Sequence, residues 1–180
     1  MKRNMVLNVL ALMLAGSVWA QDFDAVEIRT TAVRDGVWAM QGAGGNLGLV
    51  VGERGAFLVD DQYAPLTEKI LAAIAEVTDQ PVKFVLNTHW HGDHTGGNEN
   101  LAASGTLVVA HDNVRERLSA GQFMAFFDSE VPPAPDEALP VVTFNDRVSF
   151  HLGGHSLDAV HLPHAHTDGD AVVRLREANV

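Results

Sequence analysis

Residues 89–94 read His-Trp-His-Gly-Asp-His, which brings three imidazoles and a carboxylate within six positions of the chain. Neutral imidazole is the commonest zinc ligand, and a catalytic zinc usually keeps three protein ligands with a fourth position open for water. His89 and His91 can supply two of those ligands. Asp93 and His94 add a carboxylate and an imidazole on the neighbouring turn, placed to hold a second ion or to orient an attacking water. Two ions would polarise a substrate carbonyl and make hydroxide near neutral pH, because the pKa of bound water falls from about 15.7 to about 7. All nine histidines lie between His89 and His166, a clustering that favours a site over a chance run in an exposed loop. Histidine and carboxylate donors suit several ions, so zinc, iron and manganese all remain open on chemistry alone.

Such ligands need a rigid element to deliver them. The preceding run Val82-Lys83-Phe84-Val85-Leu86 is apolar, rich in β-branched and aromatic residues and preceded by Pro81, which predicts a buried strand ending just before the ligands. The carboxyl ends of strands in an open sheet are where loops converge on a bound ligand. Upstream, strands are predicted at 26–31, 37–40, 47–51 and 56–60, separated by glycine-rich turns. Gly42-Ala43-Gly44-Gly45 lacks the third glycine of a dinucleotide fingerprint and precedes a strand, so it reads as a turn. Leu66, Ile70, Leu71, Ile74 and Val77 fall at helical spacing after Pro65, predicting an amphipathic helix over 66–77.

Downstream, a short helix is expected at 98–103, a strand at 106–110 and a helix at 112–120 capped by Asp112. Residues 121–140 combine Phe123, Met124, Phe126 and Phe127 with four prolines and read as a helix end running into an irregular loop. The preferred reading is that these aromatics fill the core; the alternative is a lid. Arg147 to Leu152 and His155 to Leu162 pair as a hairpin across Gly153-Gly154, beginning a second sheet. His111 is expected in a turn or surface role, and His151, His155, His161 and His164 as strand or outlying residues, with His164 the main rival to His166 as a ligand. The alternation of strands and helices makes the chain α/β. A histidine-rich β-barrel would require the helices at 66–77 and 112–120 to be absent.

The stretch Asn-Thr-His-Trp-His-Gly-Asp-His-Thr-Gly-Gly-Asn at 87–98 resembles the HxHxDH signature of the metallo-β-lactamase superfamily, and Ala165-His166-Thr167-Asp168-Gly169-Asp170 resembles that family's next motif. The resemblance covers roughly residues 30–180. It implies that His89, His91 and His166 bind a first zinc and that Asp93, acting on the reacting water, begins a second site with His94. It also implies that Leu58-Val59-Asp60 is the early strand whose aspartate supports the metal loop. The family completes its second site with a later aspartate, usually in a Gly-Asp pair, and a histidine near the C-terminus; neither follows Asp170. The fold implied is an αββα sandwich of two similar halves, of which this chain would supply the first half and the start of the second, residues 171–180 forming a strand and turn. Two zinc ions are expected in a complete protein.

Met1-Lys2-Arg3, an apolar run from Met5 to Ala15 and then Ser17-Val18-Trp19-Ala20 have the form of a secretory signal, expected to be cleaved after Ala20 and to leave one domain at 21–180. The apolar run is shorter than the roughly 20 residues of a spanning helix, so no membrane anchor is expected after cleavage. The chain has no cysteine, which excludes disulfides, thiolate ligands and a lipid-anchor site. Without Lys2 and Arg3, 10 basic residues face 23 acidic ones, a net charge of −13. That field repels phosphate backbones and argues against nucleic acid as a partner, but acidity alone does not choose a substrate; a small-molecule substrate is what the resemblance implies.

Two functions remain open at this point. One is an exported, periplasmic or secreted zinc hydrolase acting on an amide or ester carbonyl, with β-lactams, lactones and thioesters among the substrates. The other is a non-catalytic zinc-binding protein, since the chain carries one full three-histidine set and part of a second.

Overall fold

The computed structural model describes residues 22–180, so the expected signal at 1–20 lies outside the described residues. The chain runs β1 (Arg29–Arg34), β2 (Val37–Gln41), β3 (Leu47–Gly52), β4 (Gly55–Val59), a single 3-10 turn (Ala64–Leu66), α1 (Thr67–Ala75), β5 (Val82–Leu86), α2 (Gly92–Thr95), α3 (Asn98–Ala103), β6 (Leu107–His111), α4 (Asp112–Ala120), β7 (Gln122–Met124), β8 (Ser129–Val131), a second 3-10 turn (Asp136–Ala138), β9 (Val142–Phe144), β10 (Arg147–Leu152), β11 (His155–His161) and β12 (Ala171–Leu175). Seven strands form one sheet in the order β1-β2-β3-β4-β5-β6-β9, antiparallel up to β4 and parallel from β4 onward. A second sheet, β10-β11-β12, is antiparallel. Among the described residues no helix is long and apolar enough to cross a membrane.

Neighbouring residues on a strand point to opposite faces, and the large sheet is apolar on both. Leu49, Leu58, Val85 and Val108 face one side, where Leu66, Ile70 and Ile74 around α1 and Leu101 of α3 cover them. Val50, Phe57, Leu86 and Val109, each the chain neighbour of one of these, face the other side and meet Leu152, Leu157, Ala159, Ala171 and Leu175 of the second sheet. The layers are therefore helix, sheet, sheet, an α/β architecture. The short apolar runs of the sequence are strands buried on both faces. Phe57 anchors the contact between the sheets, its ring 4.7 Å from that of Phe150 and 6.2 Å from that of Phe84.

The elements depart from expectation in identifiable places. The first strand begins at Arg29, because its ladder is set by the turn into β2, while Val26 and Ile28 pack on the core ahead of it. The helix expected over 66–77 divides into the 3-10 turn at Ala64–Leu66 and α1. The aromatics of 121–131 do not fill the core: β7 and β8 pair only with each other, and Phe123, Phe126 and Phe127 are 60%, 91% and 65% exposed. Arg117 tethers the hairpin to α4 through the amide oxygen of Gln122, at 2.8 Å. The two helices expected at 66–77 and 112–120 exist in essence, which excludes a pure β-barrel.

Truncating Phe57 to Ala should cost about 3–5 kcal/mol of stability, the range for a buried aromatic. Urea unfolding followed by circular dichroism measures this, and a loss below about 1 kcal/mol would contradict the packing described.

Candidate metal centre

The centre is assembled from strand ends. β4 ends at Val59 and delivers Asp60, whose backbone takes the left-handed conformation at φ 61°. A non-glycine residue there stores strain of about 1–3 kcal/mol that the surroundings must hold. The carboxylate is buried and accepts three hydrogen bonds. Thr88 donates its backbone N–H to Oδ1 at 2.7 Å and its hydroxyl to Oδ2 at 2.8 Å, and His94 Nδ1 lies 2.7 Å from Oδ2. Thr88 Oγ1 also lies 3.1 Å from His89 Nδ1. Because that hydroxyl gives its proton to Asp60, His89 donates from Nδ1 and keeps Nε2 as a free acceptor. His94 is fixed in the same sense, with Nδ1 toward Asp60 and Nε2 left open.

His89, His91 and His166 each present a ring nitrogen within 4.8 Å of the others. His166 Nε2 and His91 Nδ1 lie 3.0 Å apart. For tetrahedral zinc with Zn–N bonds of about 2.0–2.1 Å, two nitrogens on one ion are separated by roughly 3.3 Å, so three neutral imidazoles in this arrangement fit such an ion. Burial, followed by the neighbouring imidazoles of His94 and His91, lowers the pKa of His89 to about 4. His91 is lowered by burial and then by His166. Both rings therefore offer lone pairs rather than protons near neutral pH. Burial opposes charge on His94, but its hydrogen bond and attraction to Asp60 outweigh that and raise its pKa.

Asp93 lies in the first turn of α2, with Oδ2 3.4 Å from His94 Nε2. The glycine turn of 42–45 lies directly against this pair. A Cβ on Gly45 would fall 2.3 Å from His94 Cε1, and one on Gly44, whose φ is +84°, 2.5 Å from Asp93 Cβ. Those glycines thus give the metal loop room, beyond turning the chain. Gln62, fully buried, donates its side-chain amide to the Gly45 carbonyl and ties this turn to the end of β4.

His166 comes from the other sheet, in the loop between β11 and β12. Asp170 shapes that loop by accepting from the His166 N–H at 2.7 Å and the Thr167 N–H at 3.0 Å. Asp168 pairs with Arg117 of α4 at 2.7 Å, and its carbonyl accepts from the Asn113 amide at 2.7 Å. Desolvation works against the Asp170 carboxylate, but the hydrogen bonds from Thr167 and His166 prevail and hold its pKa below the usual value.

The structure therefore brings together Asp60, His89, His91, Asp93, His94 and His166. It leaves His164 exposed and outside the group of three. His111 departs from expectation: it is 5% exposed, stacks on His161 with ring centroids 3.6 Å apart, and its Nδ1 accepts from the Asn113 N–H. It, and not Asp112, caps α4, because it occupies the extended position from which a side chain reaches the first free N–H groups.

Several supporting residues carry no sequence signal of their own. Asn87 and Asn98, at the two ends of the metal loop, are buried and exchange amide hydrogen bonds of 3.0 Å in both directions. Asp61 accepts from the Gly97 N–H at 2.9 Å, and burial raises its carboxyl well above the usual range. Their clue was only the bracketing of HxHxDH by two asparagines.

The chain resembles known proteins in sequence and in fold. The family model described as the metallo-beta-lactamase superfamily matches residues 41–180. "Lactamase-like protein aptB" of Emericella nidulans is 32% identical over 137 residues, which is 76% of this chain and 37% of that protein. A hydroxyacylglutathione hydrolase of Erythrobacter litoralis is 36% identical over 85 residues, 47% of this chain and 31% of that protein. Among solved structures, a Cronobacter sakazakii metallo-beta-lactamase with a HARLDQ motif matches with a TM-score of 0.72 at 24% identity, covering 83% of this chain and 58% of that one. A subclass B3 metallo-beta-lactamase from a soil metagenome library matches with a TM-score of 0.68 at 26% identity, over 83% of this chain and 58% of that one. The chain thus spans well under two thirds of the length of these relatives.

Replacing Asp60 with Asn removes the charge that orients His94 and Thr88, and should weaken metal binding by about 10–100-fold. Competition with a chromophoric chelator measures this; unchanged affinity would contradict the role of the carboxylate. Gly45→Ala should displace His94 and weaken a second equivalent of metal at least about tenfold more than the first. Calorimetric titration separates the two, and equal effects would show that the turn is not part of the site.

Proposed function

The chain belongs to the metallo-beta-lactamase superfamily, and from that membership we propose that it is an exported zinc-dependent hydrolase acting on an amide or ester carbonyl of a small molecule. The observation that carries the reading is the set of three imidazoles, His89, His91 and His166, with ring nitrogens within 4.8 Å of one another. In this reading these three hold the first zinc, and Asp93 with His94 contributes to a second. Bound zinc would supply Lewis acidity toward the carbonyl and lower the pKa of water to about 7.

The chain's own residues do the rest. Asp60 fixes the tautomer and tilt of His94 directly, and those of His89 through Thr88. Asp93, whose Oδ2 lies 3.4 Å from His94 Nε2, accepts a hydrogen bond from the attacking water and takes up its proton. Trp90 packs edge-on against His91 at 4.5 Å between ring centroids and limits its rotation. β-Lactams and thioesters both belong in the substrate panel, because the similar proteins include metallo-beta-lactamases and hydroxyacylglutathione hydrolases. Export rests on the form of residues 1–20, with a charged start, an apolar run and a small-residue end.

On a panel of β-lactam, lactone, ester and thioester substrates, turnover should vanish with a strong chelator and return with zinc. His89→Ala should lose activity and first-site metal together, whereas Asp93→Ala should lose about 10²–10⁴-fold in rate with metal partly retained. Wild-type rates in both variants would overturn the assignment, and zinc binding without turnover on any substrate would favour a non-catalytic zinc-binding protein. Mass spectrometry of the protein from a periplasmic fraction should find Gln21 as its first residue; an intact Met1 would rule out cleavage.

A further inference from the structure

The segment 22–28 lies ahead of β1, which begins at Arg29, so it takes no order from the sheet ladder and needs another tie. Lys69 of α1 supplies one. Its ammonium donates to three main-chain carbonyls, those of Phe23 at 3.0 Å, Asp24 at 2.7 Å and Val26 at 2.9 Å. An ammonium carries three donors, and here each has its own acceptor. A lysine on an amphipathic helix ordinarily lays its stem on the protein and leaves its charge in water. Lys69 is half-buried and directs the whole head group at one bend of backbone, which the Val26 N–H closes by donating to the Phe23 carbonyl at 3.2 Å.

That bend carries Phe23, whose half-buried ring lies 5.1 Å from the ring of Tyr63 and is tilted by 53° to it. Tyr63 lines a cleft of about 560 Å³ together with His91, Asp93 and His166, and with Phe127 at the hairpin. Tyr63 and Asp93 also share a neighbour in the glycine turn. A Cβ on Gly44 would fall 3.0 Å from Tyr63 Cε2 and 2.5 Å from Asp93 Cβ. The carboxylate assigned to the attacking water and the phenol ring are thus packed on one residue, and Phe23 bears on that ring.

We propose that Lys69 is a positioning residue: by clamping the bend at 23–26 it sets Phe23 against Tyr63 and so fixes the Tyr63 ring beside Asp93 in the cleft. The consequence for turnover rests on the hydrolase reading, whereas the clamp itself does not. Because its acceptors are main-chain carbonyls, the clamp depends on the ammonium of Lys69 and, within the bend, on the side chain of Phe23.

Tyr63 is the only tyrosine of the chain, so protein grown with 3-fluorotyrosine gives one fluorine resonance, which reports on this ring. Lys69→Met keeps the aliphatic stem and removes the ammonium. Lys83→Met removes the same charge from an exposed position of β5 and is the control. Lys69→Met and Phe23→Ala should each move the resonance toward its position in urea-unfolded protein. The double variant should move it no further than Phe23→Ala alone, since both changes act through one contact. Lys83→Met should leave it in place, and zinc affinity at the three histidines should be the same throughout. On a substrate that the wild type turns over, Lys69→Met should lower kcat/KM by about tenfold or more, within the roughly 100-fold that a misplacement of about 1 Å can cost. An unmoved resonance in Lys69→Met, an equal movement in Lys83→Met, shifts that add in the double variant, or a moved resonance with wild-type kcat/KM would each overturn the proposal. Turnover of no substrate, with the resonance moving as expected, would instead count against the hydrolase reading and leave the clamp on Tyr63 standing.

Discussion

The buried carboxylate of Asp60 is the constraint on which the centre depends. A charge taken out of water is tolerable only when it is fully hydrogen-bonded, and here the donors are two groups of Thr88 and the ring of His94. The same three bonds that satisfy Asp60 therefore fix where the metal loop starts, which nitrogen of His89 is free and which nitrogen of His94 is free. Asp60 itself is located by the parallel pairing of β4 with β5, since its N–H donates to the Leu86 carbonyl at 2.9 Å. Sheet register thus becomes ligand geometry with one side chain between them.

The third imidazole imposes a different demand, because His166 belongs to the second sheet. Its position relative to His89 and His91 is only as good as the packing between the sheets. That explains why their interface is built from rigid groups, with Phe57, Phe84 and Phe150 in mutual contact and Leu86, Val109, Leu157 and Ala159 filling the remainder. Interiors packed at crystal-like density transmit displacement instead of absorbing it. The loop carrying His166 is then pinned at both levels, internally by Asp170 and to α4 by Asp168.

Much of this was legible in the sequence, and the reasons are specific. The HxHxDH run announces a metal because so few other functions need imidazoles at that spacing, and Val82–Leu86 reads as a strand because burial on both faces leaves an unbroken apolar run. The hairpin of β10 and β11 is visible through Gly153-Gly154. What escaped is what depends on tertiary context. Asn87, Asn98, Asp61 and Gln62 look like ordinary polar loop residues until burial forces each to find a partner. His111 looks like a surface residue because nothing local reveals that His161 will stack on it. The aromatics of 121–131 looked like core because periodicity cannot tell a core-facing side chain from one facing a cleft.

The central claim is that three imidazoles, delivered from two sheets, share one metal ion. X-ray absorption at the zinc edge, on protein loaded with one equivalent, tests it most directly. The account predicts a nitrogen and oxygen shell at about 2.0–2.1 Å with the outer-shell scattering of three imidazoles, reduced to two in His166→Ala. A wild-type spectrum with no more than two imidazoles, unchanged by His166→Ala, would contradict it.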